Sequence, residues 1–293
     1  MLAVTGITGH TGQHFINELV KNHYSGKIRC LVRTISKVTC VIESGLDFEV
    51  IEGSLDNEAD IRSLLTGADT VLHIANIHYS PEILRIGKAC GVKRFILVHT
   101  TGMFSKYKSA SSEYIEIENQ IAPLMGQLNI TILRPTMIFG DICYYNISKF
   151  IQMIDHFPIV PVVSDGSSLI QPVNARDLAQ AYFKVLETDE SMGKAYNLSG
   201  EHALSILELY HMISDCLGKK RIIICIPMWS CIFAAKVIRT ITIGKIDLIE
   251  KVKRMGENRS FSHKEAALDF GYAPEPFEIG LQREVDEYIA SKR

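Results

Sequence analysis

The chain has 293 residues, 31 Lys and Arg against 33 Asp and Glu, a formal net charge of −2 and 47% hydrophobic residues. That length accommodates one large domain or two moderate ones with a sizeable core. Balanced charge at 22% charged residues, with only nine Pro and 20 Gly, excludes a disordered polyelectrolyte and a fibrous chain, and gives no global bias toward nucleic acid.

The first apolar run, Leu2–Thr5, begins at once, without a basic leader or cleavage site, so a secretory signal is not expected. Seven scattered cysteines without a CxxC pair point to reduced thiols in a cytoplasmic protein and argue against a structural metal site. Further β-branched runs follow at Ile28–Val32, Phe48–Ile51, Thr70–Ile74, Arg94–His99 and Ile130–Leu133. Between them lie helical spacings such as Phe15/Ile16/Leu19/Val20 and Ile61/Leu64/Leu65. Each strand is almost continuously apolar, as expected when both faces of a sheet are covered. Strand–helix–strand alternation at this interval predicts an α/β, doubly wound parallel sheet.

Beyond about residue 140 the alternation weakens. Asp177 to Leu186 reads as a helix, Ala195 to Leu198 as a strand and Leu204 to Leu217 as a second helix. Ile222 to Ala235 is nearly all apolar but, at fourteen residues, is too short to span a bilayer. It reads as a buried strand up to Ile226, then a helix starting near Pro227. A sharper alternative is an amphipathic helix lying on a membrane surface.

Leu2–Thr5 runs directly into Gly6-Ile7-Thr8-Gly9-His10-Thr11-Gly12 and then a helix. Glycines at such a turn let the backbone approach a pyrophosphate, and the helix N-terminus offers it free N–H groups and partial positive charge. The spacing is GxxGxxG, not the GxGxxG of the general fingerprint. Gly6, Thr8, Gly9, His10, Thr11 and Gly12 are therefore expected to bind the cofactor. The second strand ends in Val32-Arg33-Thr34, with Lys37 close behind, where an NAD-binding chain would carry an acidic residue. A guanidinium there suits a 2′-phosphate, so NADP(H) is favoured over NAD(H). Ala75 and Asn76 follow the fourth strand, at the carboxyl edge where such sheets bind ligands, and are expected to contact cofactor or substrate.

Several motifs stand in order: the Thr5–Gly12 loop, Gly53-Ser54-Leu55-Asp56, Val71-Leu72-His73-Ile74-Ala75, Thr100-Thr101-Gly102, Leu133-Arg134-Pro135, Phe139-Gly140, the run Gln171 to Ala179, Tyr196 to Gly200, and Ala266 to Pro274. Over nearly its whole length the chain resembles the NAD-dependent epimerase/dehydratase family, the extended short-chain dehydrogenase/reductases, with NmrA-like features. The resemblance implies a Rossmann domain over residues 1–160, with 171–200 added, and a C-terminal substrate-binding region over 201–293 packed on it. It implies oxidoreductase, epimerase or dehydratase chemistry on a nucleotide sugar or a similar hydroxylated or carbonyl substrate, and makes a homodimer an option.

It also implies a Ser/Thr, Tyr and Lys trio, in which Tyr exchanges a proton with the substrate oxygen, Lys favours the phenolate and Ser/Thr orients that oxygen. Thr100 matches the first by position and Tyr114 the second. Four residues after Tyr114, where lysine is required, stands Glu118, whose charge has the wrong sign. Tyr107, flanked by Lys106 and Lys108, does not restore the motif, because Ser111 follows it by four. Ser54 also departs from the family, which usually carries Asp there. His73, His78 and His99 lie at strand ends and read as packed residues before second acid/base groups.

Between Lys219 and Arg259 there are ten Lys and Arg against three Asp and Glu, a local surplus of seven in a chain of −2. An anionic nucleotide sugar would be drawn to it, and so would acidic lipid, with peripheral membrane contact through 227–242. Nucleic acid is not expected, because aromatic interleaving is absent. Three functions stand side by side: an NAD(P)-dependent enzyme, a non-catalytic NADP-binding sensor or assembly module that has lost the lysine, and a reductase of a different, apolar substrate near a membrane, suggested by Ile222–Ala235.

Overall fold

The structure is a computed structural model that describes residues 1–35, 38–143, 146–242, 245 and 247–292. In chain order the elements are β1 (Leu2–Thr5), α1 (His10–Lys21), β2 (Ile28–Val32), α2 (Thr39–Glu43), β3 (Phe48–Glu52), α3 (Glu58–Leu65), β4 (Thr70–His73), α4 (Ser80–Ala89), β5 (Arg94–Val98), α5 (Lys108–Ile121) and β6 (Asn129–Pro135). Then come β7 (Ile138–Phe139), α6 (Ile147–His156), β8 (Ile159–Val163), β9 (Leu169–Ile170), β10 (Val173–Asn174), α7 (Ala175–Glu187), β11 (Ala195–Leu198) and β12 (Leu204–Ser205). The chain closes with α8 (Ile206–Cys216), β13 (Ile222–Ile226), α9 (Met228–Ile241), α10 (Ile249–Arg254), α11 (Lys264–Phe270) and α12 (Phe277–Ala290).

Seven strands form one sheet in the order β11-β6-β5-β4-β1-β2-β3, every pair parallel. The alternation of side chains along β1 explains its unbroken apolarity. Leu2 and Val4 enter a core shared with Phe15 and Leu19 of α1 and Tyr182 of α7, whereas Ala3 joins Ile61 and Leu64 of α3 and Ile83 of α4 on the other face. Full burial of each such Leu, Ile or Phe stabilises by roughly 1.5–3 kcal/mol. The strand order reverses between β1 and β4, which opens a crevice beyond their carboxyl ends.

A third core gathers α6, β8, α8 and α12 through Ile151, Val160, Leu209 and Leu281. Residues 264–272 return to the sheet, where Ala266, Phe270 and Tyr272 join the first core. The helix expected from Leu204 starts at Ile206. Leu204 and Ser205 instead pair with β9, and Ser205 caps the helix in a capping box with Glu208.

One expectation is corrected. Ile222–Ile226 is a strand, but not a buried one: Ile222 is 64% and Ile224 46% exposed. Among the described residues the strand pairs with β8 alone, in a two-stranded parallel sheet, and the face that carries Ile222 and Ile224 is left uncovered. The helix after Pro227 forms as expected, over Met228–Ile241.

Candidate active site

The crevice at the reversal is a cleft of about 870 Å³. Gly6, Thr8, Gly9, His10, Thr11, Gly12, Arg33, Ala75 and Asn76 all line it, so the nine residues singled out in the sequence are brought together. Lys37 lies outside the described residues. Gly6 sits at φ +76°, and a Cβ there would stand 2.9 Å from the Ala75 backbone nitrogen. A Cβ on Gly12 would collide with the carbonyl oxygens of Gly6 and Ile7, the latter at 2.5 Å. Gly9 is the N-cap of α1 and donates its N–H to Gly6 O at 3.0 Å. The turn therefore closes this tightly on itself and on the strand beside it only because side chains are missing at Gly6 and Gly12.

Below the turn, β1 and β4 are tied by a buried histidine. His73 Nδ1 accepts from the Thr5 hydroxyl at 2.7 Å and Nε2 donates to the Asn76 carbonyl at 3.1 Å. Burial pushes the imidazole down to about 4, so it is neutral at pH 7 and packs instead of shuttling protons. At the other end, exposed Arg33 shares the cleft with Asp56, whose carboxylate accepts the Tyr79 hydroxyl at 2.6 Å and Ser54 Oγ at 2.9 Å. The Tyr79 hydrogen bond first, then Ser54, holds Asp56 below the ordinary carboxylate range. His10 reaches across from the glycine turn to Asp141 at 3.0 Å.

A second cleft of about 340 Å³ adjoins the first, and Ile138 lines both. Thr100 is on its wall; its Oγ1 accepts from Gly102 N at 3.0 Å and is able to donate its own proton to a ligand. Tyr114 is not among the residues lining either cleft. Its ring lies against Gly102 and pairs with His78 at 6.2 Å between centroids. Sequence reasoning missed the far wall, where Arg254, Glu257 and Arg259 face the cleft. The Nε atoms of both arginines are buried without a partner among the described residues. Glu257 is buried and accepts from Ser105 Oγ and from the Lys106 backbone, both at 2.8 Å, pinning the loop after Thr100. Only the positive surplus of 219–259 hinted at this wall.

Glu118 is buried at the end of a chain of polar groups. His99 bridges Ser80 Oγ (Nε2, 3.1 Å) and Glu118 (Nδ1 to Oε1, 3.1 Å), and Arg134 grips the same carboxylate through Nε at 2.8 Å and through Nη2. Burial opposes the charged form, but the hydrogen bonds from Arg134 and His99 outweigh it and hold the carboxyl below its ordinary value. Lys106, a loop cation weighed as a substitute for the missing lysine, lies over the Tyr107 ring at 5.5 Å. Among the described residues no cluster of His, Cys, Asp or Glu has metal-holding geometry, and no helix is long and apolar enough to cross a membrane.

Residues 6–140 match the family model described as NAD(P)H-binding, and the fold is that of the NAD-dependent epimerases and dehydratases, as the resemblance in sequence implied. Residues 6–140 are thus similar to NAD(P)H-binding domains, and the fold is of the epimerase/dehydratase type. It is similar to NADH dehydrogenase [ubiquinone] 1 alpha subcomplex subunit 9, mitochondrial, of Dictyostelium discoideum, at 25% identity over 72% of this chain; the match spans 62% of that protein. It is similar to quinone oxidoreductase 2 of Escherichia coli K12, at 24% identity over 75% of this chain and 76% of the relative. Among solved structures, UDP-glucuronic acid 4-epimerase from Bacillus cereus, in complex with UDP-glucuronic acid and NAD, superposes with a TM-score of 0.77, covering 99% of each chain at 18% identity.

Proposed function

We propose that the chain is an NADP(H)-dependent oxidoreductase of the short-chain type. Its substrate carries a hydroxyl or carbonyl together with an anionic portion, as a nucleotide sugar does. One observation carries the reading: a cleft bounded by a glycine turn too tight for side chains at Gly6 and Gly12 leads to Arg33 at one end and to a second, arginine-walled cleft at the other. In this reading Gly6, Thr8, Gly9, His10, Thr11 and Gly12 hold the pyrophosphate at the N-terminus of α1, Arg33 the 2′-phosphate, and Ala75 and Asn76 the nicotinamide half. Arg254 and Arg259 hold the anionic part of the substrate. The bound nicotinamide supplies or accepts hydride. Thr100 orients the substrate oxygen, and Tyr114 gives or takes its proton after moving toward the second cleft.

The test is a titration with NADPH and NADH, followed by nicotinamide fluorescence. Arg33→Ala is expected to weaken NADPH roughly 10- to 100-fold, the worth of a charge-assisted contact, and to leave NADH nearly unchanged. No binding of either nucleotide overturns the proposal. Gly12→Ala is expected to weaken both nucleotides roughly tenfold or more, because relieving a Cβ–backbone collision costs about 1–3 kcal/mol.

A second reading has its own observation. Glu118, in the lysine position, is engaged by Arg134 and His99 and has no part free to assist Tyr114. This favours a non-catalytic NADP-binding module, for which tight NADPH binding without oxidation by any carbonyl substrate is the expected result.

A further inference from the structure

Helix α9 is apolar on the wrong side. Its buried residue is Ala235, while Trp229, Phe233, Val237 and Ile241 recur at every fourth position and are 72%, 64%, 39% and 75% exposed. That spacing places the four on one outward stripe. An ordinary surface helix turns such a stripe toward the core. The strand leading into α9 repeats the pattern. Ile222, Ile224 and Ile226 of β13 lie in register with Ile159, Pro161 and Val163 of β8, on the face opposite the buried Val160 and Val162. One continuous stretch, 222–241, therefore shows solvent an apolar strand face and an apolar helix stripe.

The charges around it are of one sign. Lys236 stands seven residues from Trp229, hence on the same side of α9, and α10, which packs on α9, carries exposed Lys251 and Lys253. Among the described residues none of these three lysines is paired with a carboxylate, whereas Arg239 is paired with Asp247 at 3.2 Å. Residues 219–259 hold a surplus of seven positive charges, so the remainder of the chain carries −9. Two such faces repel each other, which argues against a second copy as the occupant. Apolar side chains, including a tryptophan, fringed by unpaired lysines are instead complementary to the headgroup region of an acidic bilayer.

We propose that the α9 stripe and the lysines of α9 and α10 form a peripheral docking surface for membranes containing anionic lipid. Trp229 is the only tryptophan of the chain, so its emission reports on this surface alone. The full chain is mixed with vesicles of phosphatidylcholine, with and without phosphatidylglycerol, and followed by tryptophan emission and co-sedimentation. The expected result is a shift to shorter wavelength and co-sedimentation with the acidic vesicles only, both suppressed by salt. Phe233→Ser/Ile241→Ser is expected to abolish both signals. Lys236→Gln/Lys251→Gln/Lys253→Gln, which alters only exposed side chains and so keeps the test decisive if the serine variant misfolds, is expected to weaken binding roughly a hundredfold. No shift with acidic vesicles overturns the proposal, as does equal, salt-insensitive binding to neutral ones. It is also overturned by a dimer in light scattering that the serine variant dissociates while vesicles have no effect, because a second copy would then be the occupant.

Discussion

Arg134→Met is expected to destabilise the fold by about 3–4 kcal/mol at pH 7, read as a fall in Tm of roughly 10 °C. The figure follows from the Glu118 carboxylate. It is 7% exposed and receives hydrogen bonds from Arg134 and His99. Without the guanidinium the folded chain keeps a buried, under-compensated charge, or else takes up a proton. Protonating a carboxyl of ordinary value 4.5 at pH 7 costs about 3.4 kcal/mol, which sets the scale. The sign of the pH dependence is fixed by the direction of the shift. The native value is depressed, so the contribution of the ionised carboxylate is present above about 4.5 and is lost as pH falls through the native value. The gap between wild type and Arg134→Met therefore narrows toward acid. Glu118→Gln/Arg134→Met removes both charges and is expected to recover most of the loss, as a double-mutant cycle would show. Equal melting of wild type and Arg134→Met at pH 7 contradicts this account.

The same network shows where sequence reasoning ends. His99, Glu118 and Arg134 were each visible: the first as a strand-end histidine, the second as a departure from the expected lysine, the third inside Leu133-Arg134-Pro135. Their meeting was not, because it depends on β5 and β6 lying side by side with α5 packed over them, a non-local outcome. The first cleft was far more legible. Gly6 to Gly12 follow one strand, Arg33 ends the next, and Ala75 and Asn76 follow another, so the strand order alone brings them to one edge. The second cleft draws on 100–105, 136–138, 146, 170–171 and 254–261, segments with no shared period, and its arginines carried no motif. The run Ile222–Ile226 marks a third limit: apolar β-branched residues announce a strand, but only its partners decide whether it is buried.

These limits bear on function. The first cleft is legible because so tight a turn requires absent side chains at fixed positions, and absence has a spacing. Proton transfer requires only that two groups approach one substrate oxygen, and many placements satisfy it. Tyr114, beside Gly102 rather than on the wall of either cleft, illustrates the difference.

Glu284→Gln is expected to stabilise the protein, and by an amount that grows with pH. Glu284 lies on α12, 1% exposed; one carboxyl oxygen accepts from the Gly140 N–H at 2.9 Å, and the other has no partner among the described residues. Burial first, then the nearby charges of Glu287 and Asp141, push its carboxyl up to about 8 against the Gly140 hydrogen bond. A raised native value means that stability is full below the unfolded value near 4.5 and is lost as pH rises through about 8. At pH 4 wild type and Glu284→Gln should therefore melt together. Above pH 8 the variant should lead by about 5 kcal/mol, the free-energy equivalent of the shift from 4.5 to 8. Glutamine keeps the acceptor for Gly140 and removes only the charge, so the difference isolates ionisation from packing. Gly140 adjoins Asp141, which holds His10 of the glycine turn at 3.0 Å, so the charge on ionised Glu284 repels a carboxylate that supports the first cleft. Nicotinamide binding by the wild type should then weaken between pH 7 and 9, whereas binding by Glu284→Gln should stay level. Parallel melting curves for the two proteins across pH 4 to 9 would show that Glu284 is ionised in the native state and reaches water.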